Sequence, residues 1–120
     1  RLEKKRQVPF MRNSFAQRFF TLLEEHFRSE HEVAFYAKKL DMTAKALTMK
    51  LHRLTGKSAR TLILERALLE SKRLLAYSDL SIQQIADGLG YSDANYFARY
   101  FGAKVRKTPS TFRKQAKKLL

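Results

Sequence analysis

Between Ser81 and Arg113 the apolar residues fall into two short helical stripes separated by a sharp break. Ile82, Ile85, Ala86 and Leu89 stand at i, i+3, i+4 and i+7, the spacing of a short amphipathic helix with one buried face. Ser81 and Gln84 can form a capping box at its start. Gly88 and Gly90 interrupt the pattern. Ser92 or Asp93 then offers a new N-cap, and Phe97, Tyr100, Phe101 and Val105 resume the stripe, so a second helix is predicted after a tight turn. Ala86 is small enough to let two helices approach closely, and Gly90 can take the positive φ that a sharp turn requires. This is helix-turn-helix spacing; the plainer alternative is a helical hairpin inside a core. The face of the second helix left outside the stripe carries Ala94, Asn95, Ala98, Arg99 and Gly102. These side chains are short enough to enter a major groove, and the arginine can clamp a guanine bidentately.

The pattern occurs twice. Val33, Tyr36, Ala37 and Leu40 repeat the spacing that begins at Ile82, and Thr43 caps a following stripe of Leu47, Leu51 and Leu54. Aligning Ala37 with Ala86 places Asp41 on Gly90, and aspartate tolerates left-handed backbone better than most residues. Aligning Leu47 with Phe97 needs one extra residue in the second turn and places Leu51 on Phe101. The outward face of this earlier helix carries Lys45, Thr48, Met49 and Arg53, with Lys50 nearby, and Gly56 ends it. Repetition argues for paired DNA readers over a packing accident.

The flanking segments complete the plan. Arg1 to Gln7 is charged and has no stripe, and Pro9 disfavours helix just before it, so residues 1–12 read as a linker or the end of a preceding element. A helix is predicted next, capped by Asn13 or Ser14, with Phe15, Phe19, Leu22, Leu23 and Phe27 along one face. Ala59 to Tyr77 reads as one unbroken helix capped by Ser58, with Leu64, Ala67, Leu68, Leu74 and Leu75 apolar. Its span is roughly 28 Å, close to the ~34 Å between successive major-groove openings on one face of B-DNA. Thr108 caps a last short helix whose first residue is Pro109, where the missing N–H is no loss, and Lys114, Lys117 and Lys118 make the exit basic. The expected fold is all-α, about seven helices, with two helix-turn-helix motifs joined by a long linker helix. The expected division is 1–12 as linker, 13–57 as the first helix-turn-helix subdomain with its N-terminal helix, 58–78 as the linker helix and 79–120 as the second subdomain.

Composition narrows the chemistry. The chain has 120 residues, 44% of them hydrophobic, enough for one domain or two very small ones sharing an element. It has no cysteine, which removes disulfides, thiolate zinc sites and cysteine catalysis. Lys and Arg number 25 against 11 Asp and Glu, a formal net charge of +14, and so basic a surface concentrates polyanions; nucleic acid is the first partner to test. No run approaches the roughly 18 apolar residues of a membrane span, and no signal-peptide core is present. The opening at Arg1 in place of Met predicts a fragment of a larger protein.

His26, His31 and His52 have neither the i, i+4 pairing nor the thiolate neighbours of a metal site. Glu24, Glu25 and the acidic residues from Glu65 to Glu70 read as solvated faces of helices rich in opposite charge, and no phosphate loop or nucleophile elbow occurs. No catalysis, metal or cofactor is expected. Tyr91, Tyr96, Phe97, Tyr100 and Phe101 could form a stacking platform for single strands, but three of the five lie on the buried stripe, so core is the preferred role. Two other classes stay open: a nonspecific or RNA-binding basic module, and a helical partner-binding or membrane-surface domain. A membrane helix would need one continuous basic face opposite a large apolar one, which short capped helices do not supply.

The stretch IQQIADGLGYSDANYFARYF, the later TPSTF and the earlier LHRLTGKS resemble the DNA-binding domain of the AraC/XylS family of bacterial transcription regulators. The resemblance covers roughly Val33 to Arg113. It is most specific in the second copy, where Ile85, Ala86, Gly90, Tyr91, Tyr96, Phe97, Arg99, Phe101 and Pro109 fall where the family's signature has them. It implies a cytoplasmic, sequence-specific activator or repressor that binds double-stranded DNA with tandem motifs in adjacent major grooves. It also implies a sensory or dimerising domain elsewhere in the chain, RNA polymerase as a candidate second partner and no membrane association. By motif position, base contacts fall on Lys45, Thr48 and Met49 in the first reader and on Ala94, Asn95 and Arg99 in the second. Phosphate contacts fall on Lys50, Arg53, Ser92, Lys104 and Lys107. Two positions depart from the family pattern: Met49 stands where relatives often carry arginine, and Arg106 replaces the usual glycine after the second recognition helix.

Overall fold

The structure is a computed structural model and describes residues 14–120. The fold is all-α. Among the described residues the helices are α1 (Ser14–His26), α2 (Val33–Lys39), α3 (Ala44–Thr55), α4 (Ala59–Tyr77), α5 (Ile82–Gly88), α6 (Ala94–Val105) and α7 (Pro109–Leu119). The expected linker 1–12 and the Asn13 cap lie outside the described residues; Ser14, the alternative cap, is instead the first helical residue.

Helix starts are set by side chains that bind the otherwise orphaned first N–H groups. Thr43 Oγ1 accepts from Ala46 N at 3.0 Å ahead of α3, Ser58 Oγ from Thr61 N at 3.1 Å ahead of α4, and Thr108 Oγ1 from Thr111 N at 3.1 Å ahead of α7. Asp93, not Ser92, caps α6, its carboxylate accepting from Asn95 N at 2.8 Å. At α5 the capping box is complete: Ser81 Oγ accepts from Gln84 N at 3.0 Å while Gln84 Oε1 accepts from Ser81 N at 2.8 Å. Each such cap is typically worth about 1 kcal/mol.

The internal repeat is geometric as well as sequential. In the first turn Asp41 N donates to Lys38 O at 3.1 Å and Met42 N to Ala37 O at 3.0 Å; in the second, Gly90 N donates to Asp87 O at 3.2 Å and Tyr91 N to Ala86 O at 3.0 Å. Asp41 and Gly90 both take positive φ, 57° and 84°, as the alignment of the two copies expects. The equivalence runs past the stripes. Ser58 with Thr61 and Thr108 with Thr111 open α4 and α7 with the same hydroxyl pair, at 3.0 Å and 2.9 Å.

The described chain forms two compact units. One contains the residues up to His26 and Glu30–Leu64; the other contains Phe27–Ser29 and Glu65–Leu120, so α4 contributes residues to both. In the first unit Phe19 and Tyr36 meet edge to face at 5.8 Å, with Leu23, Ala37, Leu40, Leu47 and Leu51 buried beside them in the sequence stripes. A buried hydroxyl needs a partner, and Tyr36 donates to Glu30 O at 2.8 Å. Burial, with the Glu30 charge nearby, pushes the Tyr36 hydroxyl above the usual phenol range, so it remains a donor. In the second unit Ile85, Ala86, Leu89, Phe97 and Phe101 are buried, and Phe101 packs edge to face on Phe112 of α7 at 5.5 Å.

Four readings of the sequence change. Phe27 does not continue the α1 face: the helix ends at His26, and Phe27 is buried in the second unit with the Arg66 guanidinium 4.0 Å over its ring. Leu22 is only half-buried. Tyr91 is buried while Tyr100 is half-exposed, because a side chain in the turn can point inward as well as one on the stripe. Glu70 is not on a solvated face. It is 5% exposed, bound bidentately by Arg73 at 3.0 and 2.7 Å, with Arg28 at 3.6 Å. The Arg73 hydrogen bonds, with the Arg73, Arg28 and Arg66 charges, hold its carboxyl below the usual range against the opposing effect of burial. The ion cluster is therefore intact at neutral pH and is lost only as the pH falls through that lowered pKa.

Candidate nucleic-acid interface

Helix α3 turns its apolar stripe inward and leaves a cationic face outside. Leu47 and Leu51 are fully buried, whereas Lys45, Lys50 and Arg53 are exposed, Met49 is 47% exposed and Thr48 is half-exposed. Lys45, Thr48 and Met49 stand at i, i+3 and i+4, one face of the helix, so the three expected base contacts are brought together. Lys50 points elsewhere: its ammonium lies 4.4 Å over the Phe15 ring of α1, a cation–π contact.

Helix α6 is built alike. Phe97 and Phe101 are buried; Asn95 and Arg99 are exposed, and Ala94 and Ala98 are half-exposed. Ala94, Asn95 and Arg99 thus share the open side of the first two turns, where a recognition helix meets base edges. Arg99 stands 6.0 Å over the Tyr96 ring and has no carboxylate partner among the described residues, so an ion pair with an acidic neighbour does not occupy it. Of the expected phosphate contacts, Ser92 is exposed in the turn before α6, Lys104 in its last turn and Lys107 just after it.

Two residues take places that the sequence reading did not give them. Tyr96 is 42% exposed between Asn95 and Arg99, and its place one residue off the buried stripe is the signal that it belongs to the outer face. Arg113 had no local signal. Its Nε donates to Leu75 O at 3.1 Å and its terminal nitrogen to Ser78 O at 3.2 Å, satisfying carbonyls at the end of α4 that the helix itself leaves open. Lys117 Nζ joins at 3.5 Å from Ala76 O, and cations there also suit the helix dipole. No helix among the described residues is long and apolar enough to cross a membrane.

A family described as "Helix-turn-helix domain" matches residues 36–115. The chain is 29% identical over 101 residues to the HTH-type transcriptional regulator ExsA of Pseudomonas aeruginosa, covering 84% of this chain and 36% of that protein. It is 30% identical over 94 residues to the HTH-type transcriptional activator RhaS of Pectobacterium carotovorum, covering 78% and 34%. The chain thus spans about a third of the length of these curated relatives. In fold it is similar to the C-terminal domain of the two-component response regulator yesN from Fusobacterium nucleatum, with a TM-score of 0.81, 22% identity, and coverage of 84% of this chain and 99% of that one. It is also similar to the DNA-binding domain of AdpA, solved with a target DNA, with a TM-score of 0.75, 22% identity, and coverage of 83% and 89%. With the doubled turn geometry and the signature residues of α5 and α6, the match establishes that the chain belongs to the AraC/XylS family of helix-turn-helix transcription regulators.

Proposed function

We propose that this chain binds double-stranded DNA sequence-specifically through the open faces of α3 and α6 and serves a regulator of transcription in the cytoplasm. The observation that carries the reading is the repeated turn: two hydrogen-bonded helix-turn-helix corners, each followed by a helix whose open face carries polar and cationic side chains. Lys45, Thr48, Met49, Ala94, Asn95 and Arg99 contact bases in this reading; Lys50, Arg53, Ser92, Lys104 and Lys107 contact phosphates. Lys50 leaves Phe15 to do so. The names of the relatives and the AdpA complex with its target DNA support the reading. Sensing or dimerisation belongs to another part of a longer protein, in keeping with relatives about three times as long, and RNA polymerase is the second partner. No catalytic role is proposed.

Selection of bound sequences from a random duplex pool tests the reading: one enriched motif is expected, whereas a pool left unenriched leaves only a nonspecific basic module. On the selected site, Arg99→Ala should weaken binding by about 1 to 3 kcal/mol and relax discrimination at one position, because a bidentate guanine clamp is lost. Equal losses on selected and random DNA would reduce Arg99 to a phosphate contact.

If α4, 19 residues long, acts as a stiff spacer, the two half-sites must sit about one helical turn apart. Inserting about 5 base pairs between the half-sites should lower binding to single-reader strength, since the second half-site turns to the far side of the duplex. Inserting about 10 restores the face but adds roughly 34 Å, which a helix of fixed length cannot follow, so affinity should stay low. Gel-shift titration of the three duplexes decides: recovery at the longer insertion refutes a rigid tandem reader, and indifference to both means that one motif alone reads DNA.

A further inference from the structure

Helix α6 ends on a residue that its backbone disfavours. Arg106 caps it with φ +67°, in the left-handed region, whereas the equivalent place after α3 is held by Gly56 at φ +79°. Glycine has no Cβ to clash there; arginine does. Nothing local compensates. Arg106 is exposed, and among the described residues its guanidinium makes no hydrogen bond, ion pair or ring contact. Its backbone N donates to Gly102 O at 2.9 Å, but Gly56 makes the same bond to His52 O at 2.8 Å, so that bond needs no side chain.

The position on the helix suggests what the side chain is for. Asn95, Arg99 and Gly102 stand at i, i+4 and i+7 on the open face of α6, and Arg106 follows directly after the helix's last residue. Asn95 and Arg99 are the base-reading end. At about 1.5 Å per residue the end of α6 where Arg106 stands is roughly 16 Å from Asn95, beyond the ~12 Å width of a major groove, where the sugar-phosphate rim runs. Gly102 keeps the line between them clear of bulk, and Lys104 and Lys107 flank the end with further charge.

We propose that Arg106 is a DNA-phosphate ligand: a guanidinium that binds a backbone phosphate at the rim of the groove read by α6, retained there although glycine would be the more stable residue. The inference rests on the DNA reading above and adds to it a grip that α3, ending on Gly56, does not have. Arg106→Gly and Arg106→Asn both relieve the backbone, since asparagine tolerates left-handed geometry, and both remove the charge. Arg106→Lys keeps the charge and the strain.

Thermal midpoints and affinities for a fixed random-sequence duplex, measured over a salt series, test the idea in this chain. The glycine and asparagine variants should melt a few degrees higher than the parent, bind several-fold more weakly at low salt, and show a log–log salt slope shallower by about 0.9, the share of one phosphate. The lysine variant should keep the parent's slope and melt no higher. Parental binding with unchanged slopes in the glycine and asparagine variants overturns the assignment while leaving the DNA reading intact. Lower midpoints in those two variants overturn it as well, because arginine would then be serving the carboxyl end of α6. A parent that binds no duplex removes the DNA reading and this inference together.

Discussion

Replacing Gly90 with alanine is expected to destabilise the second unit by about 2 to 4 kcal/mol, a large fraction of the ~5 to 15 kcal/mol that separates most folded proteins from their unfolded chains. Two penalties add. Gly90 has φ +84°, which a Cβ resists, and a Cβ built there would stand 2.8 Å from Arg28 O and 3.3 Å from Ser29 Cα. Those are backbone atoms and cannot swing aside as a side-chain tip would. The two penalties can be separated, because Asp41 shows that the equivalent corner of the first copy accepts a side chain at φ 57°. Gly90→Asn relaxes the left-handed penalty but leaves the collision, so it should remain well below the parent in urea unfolding. Gly88→Ala, with nothing within 4 Å of the added Cβ and no positive φ, should be neutral or slightly stabilising. A Gly90→Asn protein as stable as Gly88→Ala would mean that the Arg28 carbonyl gives way, and the steric account would fail.

Affinity for DNA should fall by roughly a thousandfold or more between ~50 and ~200 mM salt if about six to ten cationic side chains meet phosphates, because each neutralised phosphate releases a condensed counterion. The formal charge of +14 supplies more than enough cations. Not all are available. Arg28 and Arg73 are engaged by Glu70, and Arg113 by carbonyls at the end of α4, so their removal should disturb folding more than the salt slope. Lys50, Arg53, Lys104, Arg106 and Lys107 are exposed and head the pool from which the slope should come. An affinity flat across that salt range would sink the nucleic-acid reading, whatever the family resemblance.

The parts of this fold visible in the sequence are those governed by neighbours a few residues apart. Caps at Thr43, Ser81, Asp93 and Thr108, the first helical proline at Pro109, and the stripes of α2, α3, α5 and α6 are all local, and the side-chain period reports them directly. Even the left-handed Asp41 was legible, because the second copy places Gly90 at the same point. The open faces of α3 and α6 followed by subtraction, as what remains once the buried stripe is assigned. What stayed hidden depends on residues far apart in the chain. The Arg113 side chain reaches carbonyls 38 and 35 positions earlier, and the Arg28 partner of Glu70 comes from a segment 42 positions earlier. Such pairings carry no periodic signature.

The three residues Phe27–Ser29 bear on how this protein could be recombined with its relatives. They lie in sequence between α1 and α2, yet they belong with Glu65–Leu120, where the Arg28 carbonyl walls the Gly90 corner and the Phe27 ring sits under Arg66. A hybrid regulator made by grafting residues 79–120 alone onto another chain would transplant α5, α6 and α7 while leaving behind Arg28 O, Phe27 and Glu70. The graft would have to find those partners in a host that evolved its own. Crossovers ahead of α1 keep the set together and preserve the Phe19–Tyr36 packing of the first unit, so exchanges between family members should succeed when the junction lies there and lose stability when it lies within the loop before α5.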